Sequence, residues 1–267
     1  MRKEFPLSAR KSIKKRLIEG DVVIGTFVKF NSPAIVEMLG YSGFDFIIVD
    51  AEHSSFTYPE IENIIRAANG TEMDAVIRIP SYAGEHVLHA ADLGAQGVQI
   101  PSVETLAQAE SAVKELRYYP NGNRGFALTQ RAAKYTFMSK DEYFEFAEDN
   151  VLSVVHVENL EMAAKVEELC KIPQIDVLFI GPGDLSQATG HPGELDHPEV
   201  EALVEKITAT ALAHGKIVGI FCGNKAAVDK YVKMGIQYIA FGSDLTMIAA
   251  KLKEQAKEVQ IMKQIQK

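Results

Sequence analysis

Short apolar runs rich in β-branched residues alternate with helix-spaced runs from one end of the 267-residue chain to the other, and no other feature limits the fold as strongly. The strand-like runs cover 22–28, 44–49, 74–79, 97–100, 152–157, 175–180, 217–221 and 238–241. Between and after them, apolar residues recur at helical spacing over 33–39, 58–69, 85–93, 105–116, 140–150, 162–169, 199–214, 226–234 and from 245 onward. Apolar runs of this length read as strands buried on both faces. Strand–helix alternation implies parallel strands joined by right-handed crossovers. Eight such units fill a closed (β/α)8 barrel, an α/β TIM barrel of about 250 residues. An open doubly wound sheet would carry a glycine-rich phosphate turn after its first strand, and VKFNSP at 28–33 has none. No linker or shift in composition divides the chain, so residues 1–267 read as a single domain.

Composition excludes several function classes. A net charge of −8 argues against nucleic acid as a partner, because phosphate binding needs a concentrated basic surface. The basic cluster at 11–16 reads as a solvated face of a leading amphipathic helix with Leu17 and Ile18 turned inward. The same N-terminal stretch lacks the apolar centre of a secretory signal. No apolar run approaches the roughly 20 residues of a membrane helix. The two cysteines, Cys170 and Cys222, have neither metal nor disulfide spacing, which points to a reducing cytoplasm. Cys222, after a strand-like run, reads as a small core residue.

Chemistry in such barrels sits at the carboxyl ends of the strands. The stretch FDFIIVDAEH at 44–53 shows this: an apolar run gives way to Asp50, Glu52 and His53. Polar residues at the other strand ends are Lys29, Arg78, His156, Glu158 and Asp184. Glu158 and Asp184 are the candidate metal pair, since Mg²⁺ or Mn²⁺ is commonly held by two carboxylates, with water and substrate oxygens completing the shell. Co²⁺ or catalytic Zn²⁺ is compatible with the same donors. Either carboxylate can also be read as a helix cap. His53 suits a general base near neutral pH, a role that contributes roughly 10²–10⁴-fold. A carboxylate such as Asp50 would fix its tautomer. His86, His89, His191, His197 and His214 fall on helices or loops and read as surface residues. Arg78 would stabilise negative charge on an enolate oxygen. A Schiff-base route needs a desolvated lysine, and Lys29 is the one lysine at a strand carboxyl end. The metal route therefore accounts for more of the rim.

The motifs VDAEH at 49–53, RIPS at 78–81, AADLGAQGVQIP at 90–101, YPNGNRG at 119–125, HVEN at 156–159 and FIGPGDLS at 179–186 together resemble the HpcH/HpaI aldolases. The resemblance runs from about residue 22 to residue 252. It implies a metal-dependent class II aldolase that cleaves or forms 4-hydroxy-2-oxo acids through a pyruvate enolate, with an aldehyde as second product. His53 would be the base, with Asp92 and Asp50 raising its basicity. Arg78 would stabilise the enolate, Glu158 and Asp184 would hold the metal, and the backbone of Gly183 and Asp184 would hold the pyruvate carboxylate. His156 stands where the family carries a substrate-contacting glutamine, and Gly183 where it often carries alanine. The family also implies a homo-oligomer, commonly a hexamer, that exchanges its terminal helix between subunits. Leu245, Ile248, Ala249, Leu252, Ala256 and Val259 would form the apolar face of that helix. Two further readings remain: a lyase acting on malyl- or citramalyl-type CoA thioesters, and a barrel that binds a 2-oxo acid without turnover.

Overall fold

In the computed structural model, which describes residues 11–265, the eight strands close into one parallel barrel in sequence order. They are β1 (Val23–Val28), β2 (Phe46–Asp50), β3 (Asp74–Arg78), β4 (Gly97–Ile100), β5 (Leu152–Val157), β6 (Val177–Ile180), β7 (Ile217–Cys222) and β8 (Tyr238–Ser243). The helices before and after the first four strands are α1 (Ile13–Ile18), α2 (Pro33–Tyr41), α3 (Tyr58–Gly70), α4 (Gly84–Asp92) and α5 (Leu106–Lys114). The remainder are α6 (Lys140–Asn150), α7 (Leu160–Ala164), α8 (Val166–Cys170), α9 (Pro182–Ala188), α10 (Pro198–Ala213), α11 (Lys225–Lys233) and α12 (Asp244–Ile265). Among the described residues, no helix is long and apolar enough to cross a membrane.

Two packed layers arise from the period of two along each strand. Ile47, Val49, Val98, Ile100, Val155, Val157, Leu178 and Ile180 face the helices and join their buried faces in one large cluster. Phe46, Ile48, Val76, Leu152, Val154, Val177, Phe179, Tyr238 and Ala240 fill the barrel interior. Inside, the Phe46 and Tyr238 rings lie 4.5 Å apart, and Phe179 meets Tyr238 edge-on at 6.0 Å. Glycines make that room. A Cβ on Gly25 would lie 2.5 Å from the Phe46 ring, and one on Gly219 would lie 2.8 Å from Tyr238 Cδ1.

The amino-terminal end of the barrel is plugged by α1. Ile13 and Leu17, one helical turn apart, are buried among the interior residues. Ile18, expected inside with Leu17, is instead 67% exposed, because it lies about 100° further round the helix. Nor is the basic cluster wholly solvated. Lys14 is buried, with Nζ donating to the Glu148 carbonyl at 2.8 Å and lying 3.3 Å from Asp176 Oδ1. Arg117 shares Asp176 at 2.6 Å and also donates to the Val151 carbonyl.

Helix punctuation is readable from sequence in most places. Thr105 caps α5 in a reciprocal box with Gln108, as its spacing predicts. The helix expected over 162–169 is broken at Lys165 (φ −108, ψ 23) into α7 and α8. Tyr118, Ala133, Met138, Tyr143 and Ala147 give the irregular segment after α5 a small core of its own with α6. The terminal helix α12 is docked by its first residue: Asp244 accepts the amides of Lys29 at 3.0 Å and Phe30 at 2.9 Å. Further along, Leu252 and Val259 are exposed in the single chain.

Replacing Phe46 by Ala should cost about 3–5 kcal/mol of unfolding free energy, the range for emptying a buried aromatic site. Gly25→Ala should also destabilise, by about 1–3 kcal/mol, through overpacking against the same ring. Urea unfolding of both variants checks this; a neutral Gly25→Ala would show that the interior is loosely filled.

Candidate active site

Register and strand parity bring the polar strand ends to one mouth. Phe46 and Ile48 point inward, so Asp50, two residues on, does too. By the same count Val76 leads to Arg78, and Leu152 and Val154 lead to His156 and Glu158. Asp50 pairs with Arg78 across β2 and β3, and Arg78 pairs with Gln99 across β3 and β4.

Asp50 is the hub of one half of the site and is wholly buried. Its Oδ1 accepts from Arg78 Nε at 2.9 Å and its Oδ2 from Arg78 Nη2 at 2.7 Å, a two-point ion pair. Lys29 Nζ also donates to Oδ2. The His53 amide donates to Oδ1 at 3.1 Å. Burial alone would push this carboxyl up, but Arg78, Lys29 and the His53 amide outweigh it and hold it at about 2. Asp50 therefore stays ionised and fixes both cations. Arg78 is further located by Glu52, 3.0 Å from Nη1, and by the Phe27 ring, 4.8 Å from its guanidinium carbon.

His53 sits at the open edge. Its side chain is 64% exposed, with Nε2 at 3.7 Å from Glu52 Oε2. Asp50 binds the backbone of His53, so the expected fixing of the ring by Asp50 is not seen. Asp92 is not brought to His53 within the chain either. It is the last residue of α4, and a helix that comes after a strand runs back toward the amino-terminal end of the barrel. There its Oδ1 accepts from Arg124 Nη2 at 2.7 Å. Arg124 also donates to the Tyr143 hydroxyl at 2.9 Å.

The second half of the site is acidic. Glu158 Oε1 accepts the Ser102 amide at 2.6 Å, and Oε2 lies 2.9 Å from His156 Nδ1. Burial opposes its charge, yet His156, the Ser102 amide and Arg78 keep it at about 2. Asp184 stands in the first turn of α9. Its carboxyl is pushed up by burial and then by the neighbouring Glu158 charge. Gly181 lies between the two: a Cβ there would be 3.2 Å from Glu158 Oε2 and 3.3 Å from Asp184 Oδ2. A side chain would fill the space both carboxylates face. Two converging carboxylates, one firmly ionised and the other made harder to ionise by it, are the donor set and the charge excess that a hard divalent cation relieves. The residues present fit such an ion.

His156, expected to touch substrate, lies behind Glu158 instead. It is 1% exposed, its Nδ1 faces Glu158, and its Nε2 lies 3.1 Å from Gln99 Oε1. Gln99 in turn donates to the Tyr238 hydroxyl at 3.0 Å. The ring stacks on Phe179 at 4.8 Å. Sequence reasoning missed Gln99, Tyr238 and Ser102. Gln99 was discoverable as the one polar residue in the strand GVQI. Ser102 carried no such signal; its amide reaches Glu158 from a left-handed conformation, φ 57. Gly183, also in the first turn of α9, has open space where a Cβ would project. Leu185 makes the hydrogen bond back to Gly181 at 3.0 Å, so the Gly183 and Asp184 amides precede it in that turn.

Known proteins are similar to this chain in sequence and fold. The model of the HpcH/HpaI aldolase/citrate lyase family matches residues 23–250. A 2-dehydro-3,6-dideoxy-6-sulfogluconate aldolase from Pseudomonas putida is 34% identical over 231 residues, covering 86% of this chain and 90% of that one. A 5-keto-4-deoxy-D-glucarate aldolase from Salmonella paratyphi C is 32% identical over 243 residues, covering 91% and 94%. A crystal structure of a family protein from Burkholderia cenocepacia superposes with a TM-score of 0.87 at 29% identity, covering 93% of this chain and 98% of that one. The enzyme class these relatives share is that of a carbon–carbon lyase. The matched span runs from the first residue of β1 past the end of β8 and holds the whole acidic rim, so the chain belongs to the HpcH/HpaI aldolase/citrate lyase family.

Proposed function

We propose that the chain cleaves and forms a 4-hydroxy-2-oxo acid through the enolate of pyruvate, with Glu158 and Asp184 holding Mg²⁺ or Mn²⁺. The observation that carries this reading is the pair of carboxylates facing one space beside Gly181, on the same mouth as the Asp50–Arg78 ion pair. When bound, the divalent ion supplies a Lewis acid for the 2-oxo acid. The chain's own residues supply the remainder. Arg78, immobilised by Asp50 and Glu52, offers fixed positive charge to an enolate oxygen. His53, exposed at the edge, moves the proton of the acceptor hydroxyl. The Gly183 and Asp184 amides, in the first turn of α9, would receive the substrate carboxylate. His156 holds Glu158 in position from inside the barrel.

The two named relatives act, by their names, on acidic sugar derivatives, so an aldehyde carrying an acidic group is the first acceptor to test. Asp92 serves Arg124 within one chain, so a role in tuning His53 requires contact across a subunit boundary. The exposed Leu252 and Val259 on α12 support a homo-oligomer built through that helix. Cys170 and Cys222 are both free and buried, which supports a cytoplasmic setting.

Pyruvate release from 4-hydroxy-2-oxo acids should be lost in chelator and restored by added Mg²⁺ or Mn²⁺. Glu158→Gln and Asp184→Asn should each raise the metal concentration needed; full activity in chelator contradicts the reading. Arg78→Ala should lower kcat by about 10²–10³-fold, the scale for removing one oxyanion donor. His53→Ala should lower it by about 10²–10⁴-fold. A steady-state assay at saturating metal separates these from lost metal binding, and unchanged kcat in His53→Ala would remove it as the base.

A further inference from the structure

A second group of metal-type donors lies outside the site described above, on the loop that leads from α9 into α10. His191, His197 and Glu199 each offer one ligand atom, and these atoms all lie within 4.8 Å of one another. The two imidazole rings stack with centroids 3.4 Å apart and planes 17° from parallel. His191 Nε2 lies 3.6 Å from Glu199 Oε2. Both histidines read from sequence as unremarked surface residues; the fold brings them face to face.

The backbone that carries them is fixed by the loop's own hydrogen bonds. The His191 amide donates to the Ser186 carbonyl at 2.8 Å, and the Gly193 amide donates to Ser186 Oγ at 2.9 Å. The Glu194 amide donates to the His191 carbonyl, and the His197 amide to the Glu194 carbonyl, both at 3.0 Å. His197 is the N-cap of α10, and its Nδ1 accepts the Glu199 amide only at 3.3 Å. That long contact is one a metal could compete with.

Neutral imidazole nitrogens with a carboxylate form a donor set for a borderline divalent ion, with water in the remaining position. Mg²⁺ prefers oxygen ligands in octahedral geometry and gains little from it. We propose that His191, His197 and Glu199 form a second metal site, selective for ions of the Zn²⁺ class and separate from the all-oxygen pair Glu158 and Asp184. An ion there would tie the loop after α9, the helix whose first turn carries Asp184, to the first turn of α10.

Isothermal titration of the intact chain with Zn²⁺, in excess Mg²⁺, tests the proposal. One Zn²⁺ equivalent should bind in the wild type. His191→Ala and Glu199→Ala should weaken it by at least about tenfold, since losing a ligand costs no less than losing a partner that merely orients one. Glu199 is largely exposed, so its variant keeps the test valid if His191→Ala folds poorly. The Glu158→Gln, Asp184→Asn double variant should retain the equivalent. Co²⁺ should give visible absorption with the same dependence on these variants. No Zn²⁺ binding above Mg²⁺, binding unaffected by His191→Ala and Glu199→Ala, or binding lost only with Glu158 and Asp184 would each overturn the proposal.

Discussion

Alternation of side chains along a closed parallel barrel is the constraint on which the site depends. A residue two positions beyond an inward apolar residue also points inward. Where the strand ends, that position meets the mouth. Asp50, Arg78 and Glu158 all obey this count, although β2, β3 and β5 are separated by long stretches of sequence. A one-residue register slip would turn each of them toward the helices, where an uncompensated charge is costly. The interior below them is packed by Phe46, Phe179 and Tyr238, with Gly25 and Gly219 leaving space for the rings. Packing and chemistry therefore share one register.

Charge balance divides the mouth into two regions. Around Asp50, two cations and a backbone amide stabilise a single buried carboxylate, so that region is self-contained. Around Glu158 the chain supplies one amide and one imidazole, and Asp184 is left with its carboxyl pushed upward beside an ionised neighbour. The imbalance is local and specific to the space beside Gly181. It is the electrostatic reason to place a cation there rather than elsewhere on an acidic protein. The interior chain Glu158–His156–Gln99–Tyr238 holds Glu158 from below, and under the proposed assignment it would orient that carboxylate as partners of metal ligands generally do.

Most of the architecture is legible in the sequence because strand and helix periods are local. All eight strands appear where apolar runs fall, and the rim residues are the polar side chains at the carboxyl end of those runs. What is not legible is of a different kind. Ile18 lies next to Leu17 in sequence but on another face of α1, and a six-residue helix is too short for its period to show. A strand-end position suggests substrate contact for His156; its engagement with Gln99 depends on β4 standing beside β5, which no local pattern encodes. Asp92 ends a helix rather than a strand, and the fold accordingly carries it to the far end of the barrel. The stacking of His191 on His197 is invisible in sequence for the same reason, since a turn in the loop creates it.

The proposed chemistry rests on Glu158 and Asp184 sharing one cation beside a bound 2-oxo acid. Crystals grown with Mn²⁺ and pyruvate, with anomalous scattering measured for the manganese, would test this directly. One anomalous peak at about 2.0–2.2 Å from an oxygen of each carboxylate, with pyruvate oxygens completing the shell and Arg78 alongside, is the expected result. Manganese bound by only one of the two carboxylates, or pyruvate ordered away from both, would contradict it.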